Sequence, residues 1–196
     1  MTTSTTDYSA GDPRTNRERM LAGDLYIADD PESGRRAQQA ARLADAYHRA
    51  ILADEPAARA LLETLLGHLG EDAFVKPPLF VDYGEHIRIG ARTFVNYGLT
   101  ALDVAPITIG KDCQLGPNVQ LLTPTHPVEP QPRRDKLEAA KPIVLGDNVW
   151  LGGGVIVCPG VTIGDNSVVG AGAVVTKDIP ANVIAVGNPA RVVREL

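Results

Sequence analysis

From Leu145 onward the chain places a branched aliphatic at every sixth position: Leu145, Leu151, Val157, Ile163, Val169 and Val175. Gly follows four of them, at Gly146, Gly152, Gly164 and Gly170. A period of six fits neither the 3.6-residue helix nor a hairpin of long alternating strands. It fits short strands joined by tight turns, three to a triangular coil, with the recurring aliphatic pointing into a narrow core. Four residues after each step come Val149, Val155, Val161, Ser167, Ala173 and Ile179, small or β-branched side chains suited to a second interior position.

Upstream the same step returns in other phases, as Ile89, Val95, Ala101 and as Ile109, Leu115, Leu121. Ala101 to Ile109 exceeds one step by about two residues, and Leu121 to Leu145 exceeds it by about eighteen. The larger insertion, at about 124–142, carries Thr125-His126-Pro127 and then a polar run from Glu129 to Lys141. A long excursion from a stiff repeat is a place where function concentrates.

The rest of the chain divides around this repeat. Residues 1–14, rich in Thr, Ser, Gly and Asp, read as a disordered tail. Residues 15–75 read as a helical segment: a short helix from Asn16 to about Gly23, turns at Asp29-Asp30-Pro31 and Ser33-Gly34, a helix from Arg35 to Ala53, and another opened by Pro56. Lys76-Pro77-Pro78 closes the helices, so the repeat domain is expected over 76–196. Asn188-Pro189-Ala190 ends the repeat, and Arg191 to Leu196 suits either a short strand or a short helix.

Composition narrows the function. Aromatics are 5% while the hydrophobic set is 44%, which suits a thin aliphatic core. A formal charge of −5 and a pI near 5.3 give no general positive field for nucleic acid or an anionic membrane. An anionic ligand would have to meet a local cluster, and Lys177, Arg191 and Arg194 supply one. Two cysteines, Cys113 and Cys158, are too few for a disulfide framework. The first twenty residues lack the apolar stretch of a signal peptide and no later run is long and apolar enough to span a bilayer, so a cytoplasmic protein is expected.

With repeat and His-bearing excursion in view, the chain resembles the maltose and galactoside O-acetyltransferases among the hexapeptide-repeat acetyltransferases. The resemblance rests on Ala22-Gly23-Asp24-Leu25-Tyr26, Asp82-Tyr83-Gly84, Asn96, Leu102-Asp103-Val104, Thr125-His126-Pro127, Gly146 to Gly153, Pro159 to Asn166, Val175 to Asp178 and Gly187 to Arg191. Leu102-Asp103-Val104 is closer to the maltose type, since the galactoside type has a carboxylate at the position of Val104. The resemblance implies a mainly β fold, a left-handed parallel β-helix with an N-terminal helical segment, assembled as a homotrimer with active sites between subunits. It further implies acetyl-CoA as donor and a sugar hydroxyl as acceptor.

The chemistry asks for a base, because a neutral alcohol is a weak nucleophile and imidazole is poised to take its proton near neutral pH. Of the four histidines, His48 and His68 fall in the helical segment and His86 at the first coil. That leaves His126 in the excursion as the general base. Its second ring nitrogen needs an acceptor to fix the tautomer, either Glu129 or a backbone carbonyl. In the family's direct transfer the hydroxyl attacks the acetyl carbonyl while a backbone N–H stabilises the oxyanion, and by position that donor is Gly153.

The resemblance also places acceptor contacts at Asp82, Asn96, Asp103 and Glu138. Two family positions do not match: an acidic residue aligns with Ala28 and an arginine with Ala37, so the neighbouring Asp29 and Arg36 stand as substitutes. For the donor, Trp150 forms an apolar wall, Gly153 and Ala171 leave room for its arm, and Thr176, Lys177, Arg191 and Arg194 meet its phosphates. No metal is implied. Zinc carbonic anhydrases of the same coil need three histidine ligands, and only His86 and His126 lie in the repeat region. A trimeric scaffold without activity would lack the His or the Trp, and neither is missing. Both thiols are expected to be inert, since no base is paired with either in sequence.

Overall fold

The computed structural model describes Tyr8 and residues 10–196. A three-sided parallel β-helix forms the body. Each coil runs through a first, a second and a third face, and every face is a stack of short strands. The first face holds five, from His68–Leu69 through Ile87–Ile89, Ile107–Ile109 and Ile143–Leu145 to Thr162–Ile163. The third holds five, from Leu79–Val81 through Leu99–Leu102, Gln120–Leu122 and Ile156–Val157 to Val174–Val175. The second begins at Phe74–Val75 and ends with Val183–Val186, on which Arg191–Glu195 folds back antiparallel. Of the two forms open to the C-terminal segment, the strand is adopted.

Parallel register explains the six-residue step. Ile89 pairs with Ile109, Ile109 with Leu145 and Leu145 with Ile163, while Val95, Leu115, Leu151 and Val169 form the matching line on the second face. These side chains alternate inward with outward neighbours, as strand geometry requires, and they are buried. The second interior set is buried as well: Val149, Val155, Val161, Ser167, Ala173 and Ile179. Ser167 is accommodated because its hydroxyl donates to the Pro180 carbonyl at 2.7 Å.

Both insertions fall at one edge of the prism, where the third face turns into the first. Val81 to Ile87, Ala101 to Ile107 and Leu121 to Ile143 are the enlarged turns, stacked in consecutive coils. The largest is the excursion. Pro124–Thr125 pairs antiparallel with Leu137–Ala140, Lys141 N–H closes the base onto the Thr123 carbonyl at 3.0 Å, and a short helix spans Pro130–Arg134 between them.

Three helices precede the coils. Helix α1, Asn16–Ala22, opens on a reciprocal capping box between Thr15 and Glu18 and closes on Gly23 in the left-handed conformation. Helix α2 spans Pro31–Ala50. Its start corrects the expected turn at Ser33-Gly34: the Asp30 carboxylate accepts the amides of Glu32 and Ser33, and Pro31 is preset for the first helical position. Helix α3, Glu55–Leu65, is capped by Asp54 and buries Ala58, Leu62 and Leu65 on one stripe. The first coil then begins at His68, ahead of the expected boundary at 76, so His68 lies in a strand paired with Arg88 rather than in the helical segment.

The tail expected over 1–14 lies in part outside the described residues. Its described end is tied down: Tyr8 donates to Asp135 at 2.8 Å and Arg14 grips Asp12. Beyond Gly23, Tyr26–Ile27 adds a strand to the excursion, making a three-stranded antiparallel sheet in the order Tyr26–Ile27, Leu137–Ala140, Pro124–Thr125. A small apolar core of Met20, Tyr26, Val104, Ala105 and Ala140 fastens this sheet to the prism edge. The N-terminal segment and the His-bearing excursion are thus one unit.

Candidate active site

His126 follows directly on strand Pro124–Thr125, at the rim of the excursion sheet, with its side chain 54% exposed. Its Nδ1 lies 3.3 Å from the Leu137 carbonyl oxygen. A carbonyl can only accept, so the bond requires the proton on Nδ1 and leaves Nε2 with a free lone pair. Of the two partners open from sequence, the backbone carbonyl is the one used, while Glu129 is exposed and stands at the start of the Pro130–Arg134 helix. Glu138, next to Leu137 on the same strand, brings Oε2 to 3.8 Å from Nε2. Its other oxygen accepts the Tyr26 hydroxyl at 2.5 Å.

Beneath the excursion, the two smaller turns of the same edge stack tightly. Asp103 is fully buried, and its Oδ1 accepts the amides of Asp82 at 3.1 Å and Tyr83 at 2.9 Å. Oδ2 accepts the His86 amide at 3.2 Å, and the Asp103 carbonyl lies 2.6 Å from His86 Nδ1. Asp103 therefore departs from the expected acceptor-contacting role. With both oxygens held by backbone amides it shapes the Asp82–His86 turn instead. Asp82 remains partly exposed, and burial, reinforced by the charges of Asp103 and Glu138, pushes its carboxyl up to about 6. Burial likewise raises the phenols of Tyr26 and Tyr83, for Tyr26 with a further contribution from the Glu138 hydrogen bond.

The substitutes on the N-terminal segment divide. Asp29 joins Ala28, His126, Arg133 and Lys136 around a shallow pocket, beside the imidazole. Arg36 on α2 instead pairs with Glu32 at 3.2 Å and Glu85 at 3.3 Å, and Arg17 on α1 reaches the same Glu85 oxygen at 3.0 Å. Arg36 is thus committed to fastening the helices to the prism edge.

Asn96, Gly153 and Ala171 lie on another edge, between the second and third faces, whereas Thr176 and Lys177 do not. The first three occupy turns of one stack there, with the Pro117-Asn118 turn between those of Asn96 and Gly153, tied by Asn118 N–H to the Tyr97 carbonyl, Gly154 to Pro117 and Gly172 to Gly153, each at 2.8 or 2.9 Å. Asn96 turns its side-chain oxygen to the Tyr97 amide at 2.9 Å. Glycine is required at Gly152, where a Cβ would stand 2.5 Å from the Ala171 nitrogen. Gly153 has no such crowding, and among the described residues its own N–H takes no acceptor from this chain.

Trp150 lies on the second face, 56% exposed, between Gln114 and Val168. The turn after Val186 crosses to the third face, where the Ala190 amide donates to the Val174 carbonyl at 2.8 Å, and so delivers exposed Arg191 to the same edge. Arg194 sits opposite Ile184 on the terminal strand. Thr176 and Lys177 lie past Val175, on the exposed turn from the third face toward the first. One chain therefore carries His126 and Glu138 on one edge, and Asn96, Gly153, Ala171 and Arg191 on another.

Residues 19–70 match the family described as maltose acetyltransferase hexapeptide capping motif, and residues 142–177 match bacterial transferase hexapeptide (six repeats). The crystal structure of a maltose O-acetyltransferase from Clostridium difficile 630 superposes with a TM-score of 0.91 at 42% identity, covering 93% of this chain and 98% of that one. The chain belongs to the hexapeptide-repeat acetyltransferases, in the maltose and galactoside branch. A galactoside acetyltransferase in complex with coenzyme A matches with a TM-score of 0.88 at 38% identity, over 93% of this chain and 91% of that one. Nodulation protein L of Rhizobium meliloti is 43% identical over 91% of this chain and 98% of its own length.

Neither the Tyr26–Glu138 hydrogen bond nor the hold of Asp103 on three backbone amides was legible in the sequence. Tyr26 stood within a recognised motif, but its partner Glu138 lies 112 positions away. Among the described residues no helix is long and apolar enough to cross a membrane.

Proposed function

We propose that the protein is an acetyl-CoA-dependent O-acetyltransferase acting on a sugar hydroxyl by direct transfer, with His126 as general base. The observation that carries this reading is the 3.3 Å contact between His126 Nδ1 and the Leu137 carbonyl oxygen, which selects the tautomer. With Nδ1 committed to the Leu137 carbonyl, Nε2 is a free acceptor at the mouth of the pocket that includes Asp29. A bound hydroxyl donating to Nε2 gains nucleophilicity as its proton passes to the ring, and Glu138 stands near enough to stabilise the imidazolium so formed.

Acetyl-CoA enters as the second substrate, supplying a thioester carbonyl as the electrophile; as the new C–O bond forms and the C–S bond breaks, the coenzyme A thiolate leaves and takes up the proton held on His126. The edge between the second and third faces suits such a long ligand: glycines keep its turns flat, Trp150 offers an exposed apolar wall, and Gly153 holds an open N–H for the developing oxyanion. Arg191 and Arg194, with Lys177 and Thr176, are exposed donors for its phosphates, each charge-assisted bond contributing about 1.5 to 3 kcal/mol.

His126 and Gly153 occupy different edges of one prism, and both must reach one reacting carbonyl. A second copy of the chain, presenting its Gly153 edge to the first copy's His126, meets that requirement. A closed ring of three copies gives every copy both partners, and a cytoplasmic homotrimer is the assembly proposed. The sugar, by this reading, meets Asp82, Asp29 and Glu138 from one chain and Asn96 from the next. Maltose, glucose and galactosides all offer the required alcohol.

The test is thiol release from acetyl-CoA across a panel of maltose, glucose and isopropyl galactoside. Turnover with at least one sugar is expected, and His126→Ala should lower it by about 10² to 10⁴-fold while acetyl-CoA binding is kept. Parent-level turnover in His126→Ala would remove the imidazole from the mechanism.

A further inference from the structure

We infer that Tyr26, on the N-terminal segment, is a positioning residue of the acetyl-transfer site: its hydroxyl fixes the Glu138 carboxylate so that the second oxygen faces His126 Nε2. The inference rests on the proposed part played by His126. Four observations converge on it. Tyr26 and Glu138 are direct cross-strand partners in the excursion sheet, so their side chains leave the sheet on the same side. The phenol is 1% exposed, packed in the small core with Met20, Val104, Ala105 and Ala140, and cannot swing without opening that core. Its hydroxyl donates to Glu138 Oε1 at 2.5 Å. The carboxylate is 12% exposed at the side chain, with Oε2 3.8 Å from His126 Nε2.

A carboxylate this sheltered needs donors in fixed directions to stay in place. Pinning Oε1 removes the rotation that would otherwise exchange the two oxygens or turn the group toward solvent. The spacing of 3.8 Å is too long for a hydrogen bond and short enough for charge to act. It leaves Nε2 open for the acceptor hydroxyl, while Oε2 is held beside the ring for the moment when the ring becomes cationic. Leu137, which holds the other nitrogen, pairs with Ile27 in the same two-residue strand. Both controls on the imidazole therefore run through Tyr26–Ile27, and the N-terminal segment completes the site rather than merely covering it.

The experiment uses the full-length protein with the panel sugar that turns over fastest. Tyr26→Phe keeps the ring and deletes only the hydroxyl. It should lower kcat/KM for the sugar about tenfold, leave KM for acetyl-CoA within about twofold, and lower the unfolding midpoint by no more than about 5 °C. In a Glu138→Ala background the same change should cost less than twofold, because the hydroxyl no longer has a carboxylate to hold.

Parent-level kinetics in Tyr26→Phe would overturn the proposal, as would an undiminished tenfold loss in the Glu138→Ala background. A large fall in the unfolding midpoint with both KM values raised would also overturn it, by showing that the hydroxyl serves stability alone. His126→Ala separates this from the underlying reading. If that variant is inactive and Tyr26→Phe is normal, only the positioning idea fails; if His126→Ala is fully active, the mechanism itself fails.

Discussion

The carboxylate of Asp103 spans two coils, accepting the Asp82 amide at 3.1 Å and the His86 amide at 3.2 Å on its two oxygens. One side chain thereby sets the shape of the turn below it. Asp103→Ala should leave the amides of Asp82, Tyr83 and His86 without their acceptor, at a cost of about 3 kcal/mol or more. Urea unfolding measures the loss. Hydrogen exchange should show these three amides opening faster, and unchanged exchange at all three would contradict the scaffold role.

Asp82 makes stability depend on pH. Its carboxyl is raised to about 6 in the folded protein, against about 3.9 in an unfolded chain. The folded state thus binds more protons between these values, so the increment is fully present below about pH 4 and disappears as pH rises through 6. Asp82→Asn should remove this dependence and raise stability at pH 8 by about 1 kcal/mol, a value reduced from the full shift for partial exposure. At pH 4 the variant and the parent should differ little. Unfolding curves at the two pH values decide it, and a larger gain at pH 4 than at pH 8 would reverse the sign.

Two adjacent glycines should respond differently to the same added methyl. A Cβ at Gly152 would meet the Ala171 nitrogen at 2.5 Å, whereas one at Gly153 comes no nearer than 3.4 Å to Pro117. Gly152→Ala should cost about 2 kcal/mol through forced separation of the coils, while Gly153→Ala should fold with less than about 1 kcal/mol lost. Thermal unfolding of the pair is sufficient. Equal losses would mean that the close stacking at this edge is not specific to Gly152.

Trp150 and Arg191 should act on the donor alone. Replacing either by Ala is expected to raise KM for acetyl-CoA about tenfold, with KM for the sugar and the unfolding midpoint near the parent values. Initial rates at varied acetyl-CoA measure this. A normal donor KM in both variants would place the coenzyme away from the edge between the second and third faces.

The excursion shows how far a sequence can be read and where reading stops. The placement of His126 on the excursion was legible because the excursion interrupts a strict period, and so were the interior positions from Leu145 to Val175, since their spacing is local. The partner of His126 Nδ1 was not, because Glu129 is nearer in sequence and the Leu137 carbonyl becomes a neighbour only once Pro124–Thr125 pairs with Leu137–Ala140. Arg36 shows the same limit: it was expected near the acceptor only as the neighbour of Ala37, where the family has its arginine, and the fold commits its charge to Glu32 and Glu85.

By itself the sequence determined the three-sided coil, its thin aliphatic core and the point in the chain where the excursion interrupts it. Those follow from which residues recur every six positions, and burial at that spacing depends on near neighbours along the chain. Only the tertiary structure decided that Asp103 is a scaffold, that the first coil opens at His68, and that Tyr26 meets Glu138. Each of these depends on contacts between segments distant in sequence, which packing and hydrogen-bond geometry select and which no local period encodes.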